Sequence, residues 1–155
     1  MKGLTLYQPW AQLIALGAKQ IETRSWSTDY RGTLAIHAGK NRDFTSECRQ
    51  PRFQAALLDT EWIQPSAESL KILFSPSHGK PNPIRYLPLG AIVAVCDLVD
   101  CVKIPEYQRV APIRYGESYK LLPPDMPERA FGDYRGGRYA WLLANVRVLK
   151  SAVAA

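Results

Sequence analysis

A chain of 155 residues, 46% hydrophobic and 22% charged, is long enough to bury one core and too apolar for wholesale disorder. Its net charge of +6 permits a polyanionic partner without demanding one, and eight Lys or Arg against four Asp or Glu fall in the first 52 residues. Cys48, Cys96 and Cys101 lack metal-ligand spacing, His37 and His78 share no motif, and the longest apolar run, 91–96, is too short for a bilayer. The expectation is a cytoplasmic protein with buried thiols, no secretory leader, no metal and no cofactor.

Leu4 and Leu6 mark a short opening strand. Gln8-Pro9 starts a helix, because proline presets the first-turn backbone angle, and Trp10, Leu13, Ile14 and Gly17 follow the spacing of one buried face. Trp10 is either core or one wall of a stacking slot. Gly17 is the expected helix stop. The stretch 17–24 then places Lys19, Glu22 and Arg24 within six positions. Read as a strand from residue 20, it puts Gln20, Glu22 and Arg24 on one face and Ile21 and Thr23 on the other. That face is either solvated, with an ion pair worth little, or the polar floor of a cleft.

Residues 26–31 read as a polar connection, and 33–38 as a strand with Leu34, Ile36 and Ala38 facing one way. The following loop, 39–42, carries Lys40 and Arg42 around a glycine, a pattern that can bring cations and backbone N–H groups to a phosphate but has no Walker spacing. His37, beside it, is either a structural residue or a ligand contact. Asp43 is a candidate helix cap, and Pro51 divides the helical segment that follows. Residues 65–88 are rich in proline and read as an irregular insertion within one domain.

Residues 90–103 predict a strand covered on both sides, with Asp97 and Asp100 at an edge or rim. Residues 105–127 read as irregular. A closing strand, 138–149, puts Tyr139, Trp141 and Leu143 on one face, and 151–155 reads as a frayed tail. The whole predicts a single domain over 1–150 with an insertion around 63–88, as a monomer or weak dimer.

Several segments together resemble the ASCH domain family of the PUA-like superfamily, in its bacterial single-domain type. They are Gln8-Pro9-Trp10-Ala11, Gly17-x-Lys19-x-x-Glu22-x-Arg24-Ser25-Trp26, Tyr30-Arg31-Gly32 and Ile36-His37-Ala38-Gly39-Lys40, followed by Pro88-Leu89-Gly90-Ala91, Phe131-Gly132-Asp133-Tyr134 and Gly137-Arg138-Tyr139-Ala140-Trp141. They run from the first strand to the last. The resemblance implies a mainly β fold with flanking helices (α+β), a small barrel of about five to six strands with a cleft beside the Gly-x-Lys-x-x-Glu-x-Arg segment. It also implies a ligand that is RNA or a modified nucleoside or nucleotide. On that reading the cleft is basic. Arg24, Lys40 and Arg42 contact phosphate, Lys19 and Glu22 read polar edges, Trp26 or Tyr30 stacks on a base, and His37 lies near the ligand.

Relatives of that family include a small amidohydrolase acting on N4-acetylcytidine, and a metal-independent ribonuclease activity is ascribed to another. A lysine, a threonine three positions later and a distant glutamate are the amidohydrolase's catalytic set. Lys19 matches the lysine, Glu22 stands where the threonine would be, and Glu128 is the nearest candidate for the distant acid by order along the chain. The alternative function is therefore a small hydrolase centred on Lys19, Glu22 and Glu128.

Overall fold

A computed structural model of the chain describes residues 1–41, 46–58, 87–106, 112–115, 118–121 and 126–154. The expected cap Asp43, the loop cation Arg42 and all of the 63–88 insertion but its last two residues lie outside them. The main element is a five-stranded sheet made of β1 (Lys2–Leu6), β2 (Ile21–Arg24), β3 (Gly32–Ala38), β4 (Ala91–Lys103) and β7 (Tyr139–Ala154), in the order β1-β3-β4-β7-β2. Only β1 and β3 are parallel; the other neighbours run antiparallel. The pairing of β4 with β7 slips register three times, and such bulges bend and twist a sheet. The sheet curls into a half-barrel. Its edges β1 and β2 are linked by a side chain rather than a ladder: Arg24 Nη2 donates to the Thr5 carbonyl at 3.0 Å. This is the small mainly-β barrel with flanking helices that the motifs implied.

α1 (Trp10–Ala15) fills the hollow of that curl. Its Ala11, Ile14 and Ala15 pack on Leu4, Leu6, Leu34, Ile36, Ala94, Cys96 and Leu143, the inward residues of four strands. Gln8 explains why the helix begins where it does. It is fully buried, accepts the Gln12 N–H at 3.0 Å and donates to the Pro88 carbonyl at 2.8 Å. Gly17 ends the helix at φ +74, as expected of a left-handed stop, and the Lys19 N–H turns back onto the Leu13 carbonyl at 3.0 Å. The chain is thereby aimed straight into β2.

α2 (Pro51–Leu58) begins at the proline expected to divide the segment, after a 3₁₀ turn over Glu47–Arg49. It forms a second core with α1 and a later 3₁₀ turn, Pro127–Phe131, in which Phe53 meets Phe131 and Trp10 edge-on at 5.0 and 5.9 Å. All three cysteines are free thiols. Burial pushes Cys48 up to about 12 and Cys96 up to about 11, so neither offers a thiolate at neutral pH.

Three expectations change. The prolines of 105–127 predict irregular chain, yet the segment contains the hairpin β5 (Pro112–Tyr115) and β6 (Ser118–Leu121). The expected tail joins the sheet instead: β7 runs through Ala154, and Val153 and Ala154 pair with Ile92 and Ala91. The small residues there show no alternation, and only the pairing with β4 fixes them. Asp97 and Asp100 sit on an interior strand rather than at an edge. Their carboxylates are accommodated by partners: Asp97 accepts from Thr33 and Asn145 at 3.1 and 2.9 Å, and Arg31 donates to Asp100 at 2.9 Å.

The turn into β7 is set by contact of backbone with backbone. The Gly137 N–H donates to the Ile104 carbonyl at 2.9 Å, the Ile104 N–H donates to the Arg138 carbonyl at 2.8 Å, and a Cβ on Gly136 would lie 2.6 Å from the Glu106 Cα. Gly136→Ala is expected to cost about 2–3 kcal/mol of stability in urea unfolding, the upper end of overpacking, because backbone cannot swing aside. A loss below half a kcal/mol would mean that this turn is not packed as described.

Candidate functional site

β2 is an edge strand of four residues, and Ile21, Glu22 and Thr23 are all buried in it. The solvated reading of this face fails. Lys19 is fully buried; its ammonium donates to the Ile21 carbonyl and stands 3.4 Å from Glu22 Oε2. Arg24 approaches the other oxygen, with Nε 3.1 Å from Oε1, although that N–H makes no aligned hydrogen bond. The Glu22 carboxylate is thus flanked by two cations.

Behind this triple lies Glu128, brought from the 3₁₀ turn Pro127–Phe131. Its Oε2 accepts the Gln20 N–H at 2.6 Å; its Oε1 accepts the Ile21 N–H at 3.2 Å and the Tyr134 hydroxyl at 3.1 Å. Burial raises the Glu128 carboxyl above its ordinary value, and the opposing pull of Lys19, the two backbone donors and Tyr134 does not cancel that. Burial likewise pushes the Tyr134 hydroxyl upward. The segment after Glu128 is pinned to β2 by the Asp133 N–H, which donates to Thr23 Oγ1 at 3.1 Å, and by Arg138 Nη2, which donates to the Thr23 carbonyl at 3.2 Å.

A cleft of about 540 Å³ opens against β2, floored by Glu22, Thr23 and Arg24. Its walls come from Thr5 and Leu6 at the end of β1 and Tyr7 just after it, from Trp10 and Phe53 on the helices, and from residues 130–133. Among the described lining residues the acids Glu22, Glu47 and Asp133 face a single cation, Arg24. The described part of the lining is therefore not basic, unlike the basic cleft that the resemblance implied. The reason is that Lys19 turns inward, where it neutralises carboxylates instead of meeting a ligand. Among the described residues no three His, Cys, Asp or Glu side chains gather as a metal site.

The expected site residues separate into three groups. Glu22 and Arg24 line the cleft, whereas Lys19 and Glu128 lie behind it and hold β2 in place. Trp26 stands beside the cleft, 52% exposed, edge-on to Trp141 at 6.4 Å and with the Arg24 guanidinium 5.2 Å from its ring centre. Like Trp26, which reaches the cleft only through Arg24, Tyr30, His37 and Lys40 are not among the lining residues. Tyr30 donates its hydroxyl to the Thr33 carbonyl at 2.6 Å and lies under Lys2, 4.7 Å from the ring centre. His37 Nδ1 lies 3.1 Å from Oγ1 of Thr5, a residue of the cleft wall. Lys40 is exposed and follows Gly39, whose N–H donates to the Leu6 carbonyl at 2.8 Å. Arg42 lies outside the described residues. Tyr7, 56% exposed and lining the cleft, was missed because the opening strand ends one residue before it. Asp133 was visible only as part of the Phe-Gly-Asp-Tyr motif.

No helix among the described residues is long and apolar enough to cross a membrane. Two curated proteins resemble the chain, both described as activating signal cointegrator 1. The one from Mus musculus is 30% identical over 109 residues, and the one from Homo sapiens 29% over the same length. The match covers 70% of this chain and only 16% of each relative. The sequence profile of the ASCH domain matches residues 4–152, nearly end to end, and the chain belongs to that family.

Proposed function

We propose that the chain is an RNA-binding domain whose cleft takes one unstacked nucleobase while the phosphates stay outside. Membership of the ASCH family suggests RNA, and the net charge of +6 suits a polyanion. The observation that carries the reading is an aromatic-walled cleft with the half-exposed Trp26 stacked on Arg24 at its side. Sequence-specific RNA recognition works on splayed bases that stack on aromatic or guanidinium planes. A volume of about 540 Å³ falls within the usual range of small-ligand clefts, roughly 300–1,000 Å³. The one described cation in the lining, Arg24, is already engaged by Glu22 and the Thr5 carbonyl, which favours entry of the base over the backbone. Lys40, exposed just beyond β3, then serves the phosphates.

The hydrolase reading draws no support from the site. Lys19 donates to the Ile21 carbonyl and pairs with the Glu22 carboxylate, and it does not line the cleft.

The test is fluorescence anisotropy with a short single-stranded RNA. Trp26→Ala should weaken binding about 5- to 150-fold, the range given by losing one stacked base. Lys40→Ala should weaken it less and flatten the salt slope by about 0.7 for each phosphate that is no longer neutralised. Absence of binding by the wild-type chain at low salt, or unchanged binding in both variants, overturns the proposal.

A further inference from the structure

We infer that the cleft selects guanine, with Glu22 as the residue that reads it; this rests on the base-in-cleft reading above. Of the three acids in the lining, two are already engaged on their own segments. Asp133 is gripped by Arg135 at 2.6 and 2.8 Å, and Glu47 accepts from Ser46 at 2.7 Å. Glu22 differs. Its side chain is only 10% exposed, yet it lines the cleft, and each of its oxygens has one cation beside it, Lys19 at 3.4 Å and Arg24 at 3.1 Å. A carboxylate accepts about four hydrogen bonds, two at each oxygen. Each oxygen has a cation at ion-pair distance, and the Arg24 Nε–H makes no aligned hydrogen bond to Oε1, so at least one acceptor site on each oxygen remains for a ligand. The floor of the cleft therefore presents two adjacent acceptors and no donor of its own between them.

Two adjacent acceptors call for two adjacent donors on one base edge. Among the four RNA bases only guanine offers them, as N1–H and the N2 amino group. Adenine and cytosine carry one amino group next to a ring nitrogen that is itself an acceptor. Uracil carries one N–H between two carbonyls. Each of these would set a lone pair against a carboxylate oxygen, so the floor rejects them as well as favouring guanine. Arg24 completes the match. One of its N–H groups is committed to the Thr5 carbonyl, and a guanidinium has five, so others remain beside Oε1 for the guanine O6 carbonyl next to N1. The two cations also fix the rotamer of Glu22 before the ligand arrives.

The experiment uses the wild-type chain and a short oligouridine carrying one central test nucleotide, read by fluorescence anisotropy. Guanosine at that position should bind about 5- to 150-fold tighter than adenosine, cytidine or uridine, the discrimination expected of a bidentate base contact. Inosine, which keeps N1–H and lacks the N2 amino group, should fall between. 1-Methylguanosine should fall to the level of adenosine. These comparisons alter the ligand only, so they do not depend on a variant folding. Glu22→Gln, which swaps one acceptor for a donor, should bring the ratio of guanosine to adenosine affinity down toward one, and a ratio that stays at the wild-type value would overturn the assignment of Glu22 as the reader. Equal affinity for all four bases would overturn the guanine inference and leave RNA binding standing. If no RNA binds, both readings fall.

Discussion

Glu128→Gln is expected to lower the free energy of unfolding by about 2–4 kcal/mol at neutral pH, because it strands buried donors. The carboxylate takes the Gln20 N–H, the Ile21 N–H and the Tyr134 hydroxyl. Glutamine offers one acceptor oxygen and turns an amino group toward a donor. The same substitution should remove a pH dependence whose sign follows from the direction of the shift. Burial raises the folded-state carboxyl above its ordinary value of 4.5. Between that value and the raised one the folded chain holds more protons than the unfolded chain, so stability falls as pH rises through this window. Asp97 and Asp133 act oppositely and lower down. Hydrogen bonds from Asn145 and Thr33 to one, and from Arg135 to the other, hold them below 3.8, so their contribution is lost as pH falls through their depressed values. Urea midpoints taken from about pH 3 to 8 should therefore show both slopes in the wild type and only the lower one in Glu128→Gln. An upper slope that survives in the variant assigns it to another group.

How much of this could be seen in the sequence depended on whether the cause was local. The alternation of Leu34, Ile36 and Ala38 gave β3, and the left-handed need at Gly17 gave the end of α1, since each is decided within a few residues. The same alternation placed Glu22 and Arg24 on one face of β2, where they meet at 3.1 Å. Lys19 stands at a helix-to-strand junction, and there its direction depends on what lies beneath. What lies beneath is Glu128, more than a hundred positions along the chain, and nothing near residue 19 announces it. Chain order pointed to Glu128 as a partner of the Lys19 segment, and there it accepts the Gln20 and Ile21 N–H groups. The same gap hid the charge of the lining. The resemblance implied a basic cleft and the cations of the first third were compatible with one, but charge counts do not say which groups point inward. The β5–β6 hairpin escaped because its prolines resemble a loop until two strands pair.

Lys19→Met should be the most damaging of the polar substitutions, about 3–5 kcal/mol, because it nearly keeps the volume while leaving buried carboxylates without their cation. Lys19 is fully buried, donates to the Ile21 carbonyl and stands 3.4 Å from Glu22. Its charge also pulls the Glu128 carboxyl back toward ionisation, against burial. The two residues are therefore coupled. In a double-mutant cycle with Glu128→Gln, the losses should fall short of additivity by about 1–3 kcal/mol, since removing one acid relieves part of the harm of removing the base. A strictly additive cycle would place the two side chains in separate networks. The same variant separates structure from chemistry. If Lys19 is a structural cation, the wild-type chain incubated with N4-acetylcytidine should release no cytidine beyond the Lys19→Met background. Release that depends on Lys19 would demand that the ammonium leave the Ile21 carbonyl and enter the cleft, and β2 would then have to move with it.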